Sequence, residues 1–301
     1  MKIVQRAIVE ILLCYLLDNP MKKLPKIFRI AEKLDRQKLY VPQISTIREK
    51  LMDEKGVWHG LVEDLIRDVD LKILKTFVRN FIINANLNDD NQTRAQEVRK
   101  KYECSVPWAI LMDPTSACNL SCTGCWAAQY GDKNNLSFED LDSICSQGKK
   151  LGVYFYIFSG GEPLVRKKDI IRLCEIHKDC YFFAFTNGTL VDDKFCEDIL
   201  KVRNLALAFS IEGDEEATDM RRGKGTYRKV IEAMDRMRKY KLIFGYSTCY
   251  HYYNTESIGS DKFVDDMIDR GCRFSWNFTY IPVGKNARTD LIATPNQRSY
   301  M

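Results

Sequence analysis

Cys118, Cys122 and Cys125 fall within eight residues, in the word Cys118-Asn119-Leu120-Ser121-Cys122-Thr123-Gly124-Cys125. Thiolates are soft ligands, suited to iron–sulfur clusters, zinc or Cu(I). A closed zinc site wants four ligands, whereas the next cysteine here is Cys145 and the nearest histidine is His177. Three protein ligands on a four-iron cluster would leave one iron open to a small molecule. Spacing alone also admits three buried thiols packed as small hydrophobes, in a chain that has 11 cysteines. A second word, Ser159-Gly160-Gly161-Glu162-Pro163, lies downstream. Paired glycines let a backbone approach a ligand closely, and Pro163 stiffens the turn. Glu162 offers a carboxylate to an ammonium group. Taken alone, the same word is also an ordinary tight turn.

The elements around these words set their positions. From Pro107 onward, apolar β-rich runs alternate with helical periods. The strands are expected at Trp108–Met112, Val153–Phe158, Tyr181–Phe185, Leu205–Ser210, Leu242–Cys249 and Arg273–Tyr280. Between them the 3.6-residue pattern predicts helices from Ser137 to Leu151, Lys167 to His177, Asp192 to Val202, Thr226 to Tyr240 and Asp261 to Arg270. Alternation of this kind implies parallel strands joined by right-handed crossovers. The strands read as continuously apolar, as in a sheet covered on both faces. Six units are too few for a closed (β/α)8 barrel. The fold class expected is α/β: a partial (β/α)6 TIM-type barrel preceded by a helical N-terminal region. Both words then sit at C-terminal strand ends, where such folds place chemistry.

Residues 1–106 read as that helical region. Ile3, Ala7, Ile8, Ile11, Leu12 and Tyr15 recur at helical spacing, Met21 to Leu39 is basic and amphipathic, and Leu61 to Leu87 carries a further apolar period. Asn86 to Asn91 is expected to turn, and Gln92 to Tyr102 to be helical. The division expected is 1–106 helical, 107–284 the core domain and 285–301 a C-terminal tail, with a helix starting at Thr294.

In combination, the C-x3-C-x2-C loop after the first strand and Gly-Gly-Glu-Pro after the second resemble the radical S-adenosylmethionine (SAM) superfamily, over residues 107–284. The resemblance implies that Cys118, Cys122 and Cys125 hold a 4Fe–4S cluster whose open iron chelates SAM. It implies that Gly160, Gly161 and Glu162 receive the methionine amino group. Thr186-Asn187-Gly188 resembles a recurrent word near SAM, although Asn-Gly also starts ordinary turns. Ser210-Ile211-Glu212-Gly213 stands where the family often has Ser-Ile/Leu-Asp-Gly. Asp219-Met220-Arg221-Arg222-Gly223 resembles the word His-Asp-x-x-Arg-Gly, with Thr218 in place of the histidine. Arg222 thereby aligns with an arginine that pairs with the SAM carboxylate, a bidentate geometry suited to guanidinium. The family's aromatic before the third cysteine is Gly124 here, and Trp126, just after it, is the candidate for adenine stacking. Gly at this place also occurs in a branch that resembles the adenosyl-hopene transferases. No catalytic residue can be assigned from these words.

The activity implied is reductive cleavage of SAM to a 5′-deoxyadenosyl radical acting on a peptide, a lipid-like or isoprenoid molecule or another small molecule. An external electron donor of flavodoxin or ferredoxin type is implied with it. The alternatives are a maturation or binding protein that holds cluster and SAM without turnover, and a zinc-structural domain. Many relatives continue into a domain with further cysteines, whereas the last cysteine here is Cys272, so the tail reads as truncated. The other cysteines, Cys14 and Cys104 included, read as packing. Tyr246, Ser247 and Tyr250 are candidates to line the cavity, and His251 is a weak candidate proton donor.

Composition narrows the class. A hydrophobic fraction of 45% and a charged fraction of 29% suit a globular chain. A net charge of +5 permits an anionic partner without demanding nucleic acid, and no RNA-binding or finger-type word is present, so no nucleic-acid partner is expected. The odd cysteine count and the lack of a small-residue cleavage site after Ile8–Leu17 point to a reducing cytoplasm. The basic amphipathic stretch suits a solvated helix, or peripheral contact with an anionic membrane surface.

Overall fold

The computed structural model describes residues 41–87, 89–127, 133–284 and 287–301, together with 22–23, 25–26 and 28–29. The expectations for residues 1–18 and for Cys14 lie outside the described residues, and those for the basic stretch lie largely outside them. Among the described residues, no helix is long and apolar enough to cross a membrane.

Six parallel strands form one sheet in sequential order: β1 (Ala109–Met112), β2 (Phe155–Phe158), β3 (Tyr181–Thr186), β4 (Leu205–Ser210), β5 (Phe244–Tyr250) and β6 (Ser275–Thr279). This is the expected partial barrel. The N-terminal helices are α1 (Val41–Met52), α2 (Val57–Asp68), α3 (Leu71–Phe77), a π-helical stretch (Val78–Leu87) and α4 (Asp89–Tyr102). The crossovers are α5 (Phe138–Leu151), α6 (Lys167–Ile176), α7 (Asp193–Val202), α8 (Glu215–Arg222) with α9 (Thr226–Lys239), and α10 (Thr255–Ile258) with α11 (Asp261–Asp269). Helix α12 (Pro295–Tyr300) ends the chain.

Local chemistry sets these boundaries. Ser137 and Asp140 form a capping box at the start of α5, and Gly152 ends the helix in the left-handed region. Asp192, Asp214 and Ser260 cap α7, α8 and α11 through their side-chain oxygens. The long apolar period from Leu61 to Leu87 is broken at Val69–Asp70, because Asp70 caps a new helix by accepting from the N–H groups of Lys72 and Ile73. Of the residues 86–91 expected to turn, the described ones are helical: Asn86 still belongs to the π-helical stretch, and 89–91 already belong to α4.

The register separates the two faces of the sheet. Tyr156, Phe158 and Phe182 are fully buried on the outer face, beneath the helices. The inner face carries Leu111, Ile157, Phe183, Ala206, Ala208, Gly245 and Trp276, paired strand by strand. Ala206, Ala208 and Gly245 are small, so the β3 rings reach across the concave face to β6. Phe183 meets Phe274 at 5.4 Å and Trp276 at 5.9 Å, and Phe185 meets Phe278 at 5.5 Å. The α2–π stretch covers the opposite end from the cysteine loop. Phe77 packs on Tyr181 and Phe81 on Phe155, while the Asn80 side-chain amide donates to the Lys178 and Cys180 carbonyls before β3.

The Tyr156 hydroxyl donates between the carbonyls of Cys145 (2.9 Å) and Val153 (3.0 Å), and Gly148 on α5 leaves it room. Gly→Ala within a helix ordinarily gains about 1 kcal/mol. Gly148→Ala should instead lower stability by roughly 1–3 kcal/mol, because the new methyl overlaps that hydroxyl. Urea denaturation checks this, and adding Tyr156→Phe should recover part of the loss.

Candidate functional site

The cysteine loop leaves β1 through Asp113-Pro114-Thr115-Ser116. Its base is clamped by the returning segment: Thr115 bridges to Asn135, the Ser116 N–H donates to the Asn134 carbonyl, and the Leu136 N–H donates to that of Pro114. Arg166 donates to the carbonyls of Pro114 and Leu136. Cys118 is exposed, and Cys122 and Cys125 are partly buried. Burial pushes the Cys118 and Cys122 thiols up. For Cys122 the nearby charges of Arg222 and Arg221 oppose that rise. Among the described residues, no three His, Cys, Asp or Glu side chains share a single ion's reach.

The glycine word docks onto this loop by backbone. The Gly161 N–H donates to the Thr115 carbonyl at 3.0 Å, and the Glu162 N–H to that of Ala117 at 2.8 Å. A Cβ on Gly161 would overlap the Ser116 and Ala117 carbonyls, so only glycine permits the contact. The Glu162 carboxylate is buried and already engaged. It accepts from the Leu164 N–H (2.9 Å), the Thr186 hydroxyl (2.7 Å) and the Asn187 N–H (2.7 Å). Burial pushes its carboxyl above the ordinary range despite those bonds. Asn187 then reaches the cysteine loop, donating to the Asn119 side chain at 2.8 Å, and Asn119 donates to Thr189 at 2.7 Å. Glu162, Thr186 and Asn187 thus form one network joining the ends of β1, β2 and β3.

Ser210 lies on the inner face at the end of β4, 3.3 Å from the Ser247 hydroxyl on β5. Arg222 does not stand free. Its Nε donates to Glu212 at 2.7 Å, and Arg221 donates to the same oxygen at 2.5 Å. The other Glu212 oxygen accepts from the Cys249 N–H at 3.1 Å. Burial works to raise the Glu212 carboxyl, but the two arginines outweigh it and hold it below the ordinary range. The word around Arg222 is the end of α8, and the Arg221 carbonyl accepts from the Thr123 N–H of the cysteine loop at 2.8 Å.

Gly124 has φ of +69°, and the Tyr280 hydroxyl stands over it, 2.7 Å from where a Cβ would be. An aromatic from beyond β6 therefore occupies the space above that position. Trp126 is 47% exposed and lines an open cavity of about 280 Å³ with Gly160, Gly161 and Asp113. The structure brings the cysteines, the glycine word, Thr186 and Asn187 to one end of the barrel, with Ser210 at the same end of β4.

Other expectations are corrected. Cys104 is exposed rather than packed. Cys249 is only partly buried, at the inner end of β5, while Cys145, Cys174, Cys180, Cys196 and Cys272 are buried. Tyr246 packs outward on Phe263, and Tyr250 bonds to Thr279. His251 is fully enclosed, and burial pushes its pKa down to about 4. It is therefore neutral near pH 7 and turned away from solvent. Sequence reasoning overlooked Asp113, Asn119 and Tyr280. Only their adjacency to the cysteine word and to the strand ends could have raised them.

A family model described as the Radical SAM superfamily matches residues 112–261. An uncharacterized protein of Archaeoglobus fulgidus is 31% identical over 148 residues, which are 48% of this chain and 35% of that protein. The cysteine-type anaerobic sulfatase-maturating enzyme of Clostridium perfringens is 28% identical over 159 residues, 46% of this chain and 43% of that one. The chain thus spans less than half the length of these two curated relatives. The solved structure of Streptococcus suis SuiB bound to S-adenosylmethionine shares the fold, with a TM-score of 0.60, 19% identity, and 80% of this chain and 60% of that one covered.

The Glu212 ion triad makes a prediction about pH. Glu212→Gln should cost about 3–5 kcal/mol near neutrality by leaving two arginines without their buried carboxylate. Glu212 is held below its unfolded value, so its contribution is complete above about pH 4.3 and is lost as the pH falls through the lower folded value. The gap between wild type and variant in urea denaturation should therefore narrow below pH 4.3. A gap that stays constant down to acid unfolding would contradict this account.

Proposed function

The chain belongs to the radical SAM superfamily, and on that premise we propose that it is a radical SAM enzyme that holds a 4Fe–4S cluster on Cys118, Cys122 and Cys125 and acts on a polypeptide. The observation that carries this reading is the docking of the glycine word, which lines an open cavity at the barrel mouth, onto the loop that bears the three thiols. The donor set fits such a cluster: three soft ligands, with the guanidinium groups of Arg221 and Arg222 near Cys122. When bound, cluster and SAM together supply a one-electron cleavage that yields methionine and a 5′-deoxyadenosyl radical.

The chain's own residues position and shield that chemistry. The Glu162 network holds the cysteine loop in place from β2 and β3. In this reading the Gly160–Gly161 backbone and Ser210 face the methionine portion of SAM. Arg222, held in place by Glu212, keeps a positive charge in this triad of two arginines and one carboxylate. Two observations support the polypeptide substrate. Relatives include sulfatase-maturating and mycofactocin-maturating enzymes, and the concave face presents Trp276 and Phe278 partly exposed for apolar side chains. The electron donor belongs to the flavodoxin or ferredoxin class.

Anaerobically reconstituted protein, reduced with dithionite and given SAM, should release 5′-deoxyadenosine, detected by chromatography. Cys122→Ala should lose the iron and keep the circular dichroism of the sheet. A colourless wild-type protein that binds zinc and takes up no iron would overturn the reading. Gly161→Ala should retain the fold and hold less iron per chain than wild type, because the two loops are forced apart.

A further inference from the structure

Asp113 has no role in the network described above. It follows β1 on the inner face, in line with Leu111, and points into the cavity between the cysteine loop and the glycine word. A Cβ on Gly160 would stand 3.0 Å from that of Asp113, so the glycine is what admits this side chain to the cavity edge. Among the described residues that line the cavity, Asp113 is the only charged one, and Trp126 supplies the only aromatic ring. Asp113 has no hydrogen-bond or ion-pair partner among the described residues. Asp113 is exposed at the cavity edge, and partial desolvation there presses its carboxyl above the ordinary range, with no cation among the described residues to offset it. Glu162, the other carboxylate at this end of β2, has its oxygens taken by Leu164, Thr186 and Asn187.

A carboxylate and an aromatic ring that line one small open cavity suit a cation, through a charge-assisted hydrogen bond to the one and a ring face from the other. We propose that Asp113 and Trp126 form an ammonium-binding site at the barrel mouth, with Asp113 supplying the counter-charge that Glu162 cannot. The ammonium belongs either to the amino-acid end of SAM or to an amine of the substrate. This assignment rests on the function proposed above only for the identity of the ligand.

Isothermal titration of Asp113→Asn against wild type decides it. Both reconstituted proteins are first checked for equal iron content. They are then titrated with SAM, with a SAM analogue lacking the α-amino group, and with n-butylammonium chloride against n-butanol. If the cation is that of SAM, the variant binds SAM about tenfold or more weaker and the deaminated analogue equally well. If it is a substrate amine, SAM binding is unchanged, and the binding of n-butylammonium seen with wild type is lost in the variant. Trp126→Leu should weaken the same ligand by about two- to fivefold. Equal binding of all these ligands by wild type and Asp113→Asn overturns the proposal. Failure of the wild type to load iron instead sinks the cluster assignment, and the n-butylammonium titration of the unloaded chain still decides Asp113.

Discussion

A carboxylate buried with no ion-pair partner is costly unless hydrogen bonds replace its water. Glu162 meets that condition with a hydroxyl and two backbone N–H groups drawn from two successive strand ends. Its own N–H and that of Gly161 reach back to the loop after β1. One side chain thereby makes the ends of three adjacent strands interdependent. Moving any of them leaves a buried acceptor or donor unpaired, which costs more than an average hydrogen bond gains. The position of the cysteine loop is thus a consequence of satisfying Glu162.

The second buried carboxylate, Glu212, solves the same problem in the opposite way. It takes charge instead of dipoles, from Arg221 and Arg222, and leaves the triad with a net positive charge near Cys122. The two acids therefore sit on opposite sides of their ordinary ionisation range, one raised by burial and the other held low by cations. The cysteine loop lies between them, tied to the first through Ala117 and Asn119 and to the second through Thr123 and Arg221.

The order and kind of the barrel elements were legible in the sequence because each strand is a continuous apolar run and each crossover helix has a clear period. The cysteine and glycine words stood out because their residue types admit few uses. What stayed hidden was pairing. Nothing in a linear reading distinguishes a glutamate free to receive a ligand from one already bound to Thr186 and Asn187, or an arginine that awaits a carboxylate from one held by Glu212. The apolar run from Leu61 to Leu87 also concealed its own break. Asp70 acts there through a local side-chain-to-backbone bond that a hydrophobic period does not register. Tyr280 was invisible for a different reason: it is distant in sequence from Gly124, whose missing side chain it covers.

The contacts of Phe183 with Phe274 and Trp276 span a half-barrel whose intervening strands carry alanine and glycine. Those rings act as a depth stop. Toward the mouth the same bridge continues, with Phe185 against Phe278. Changes in what this scaffold accepts would then come from the rim and the β6 edge, while the floor keeps its depth.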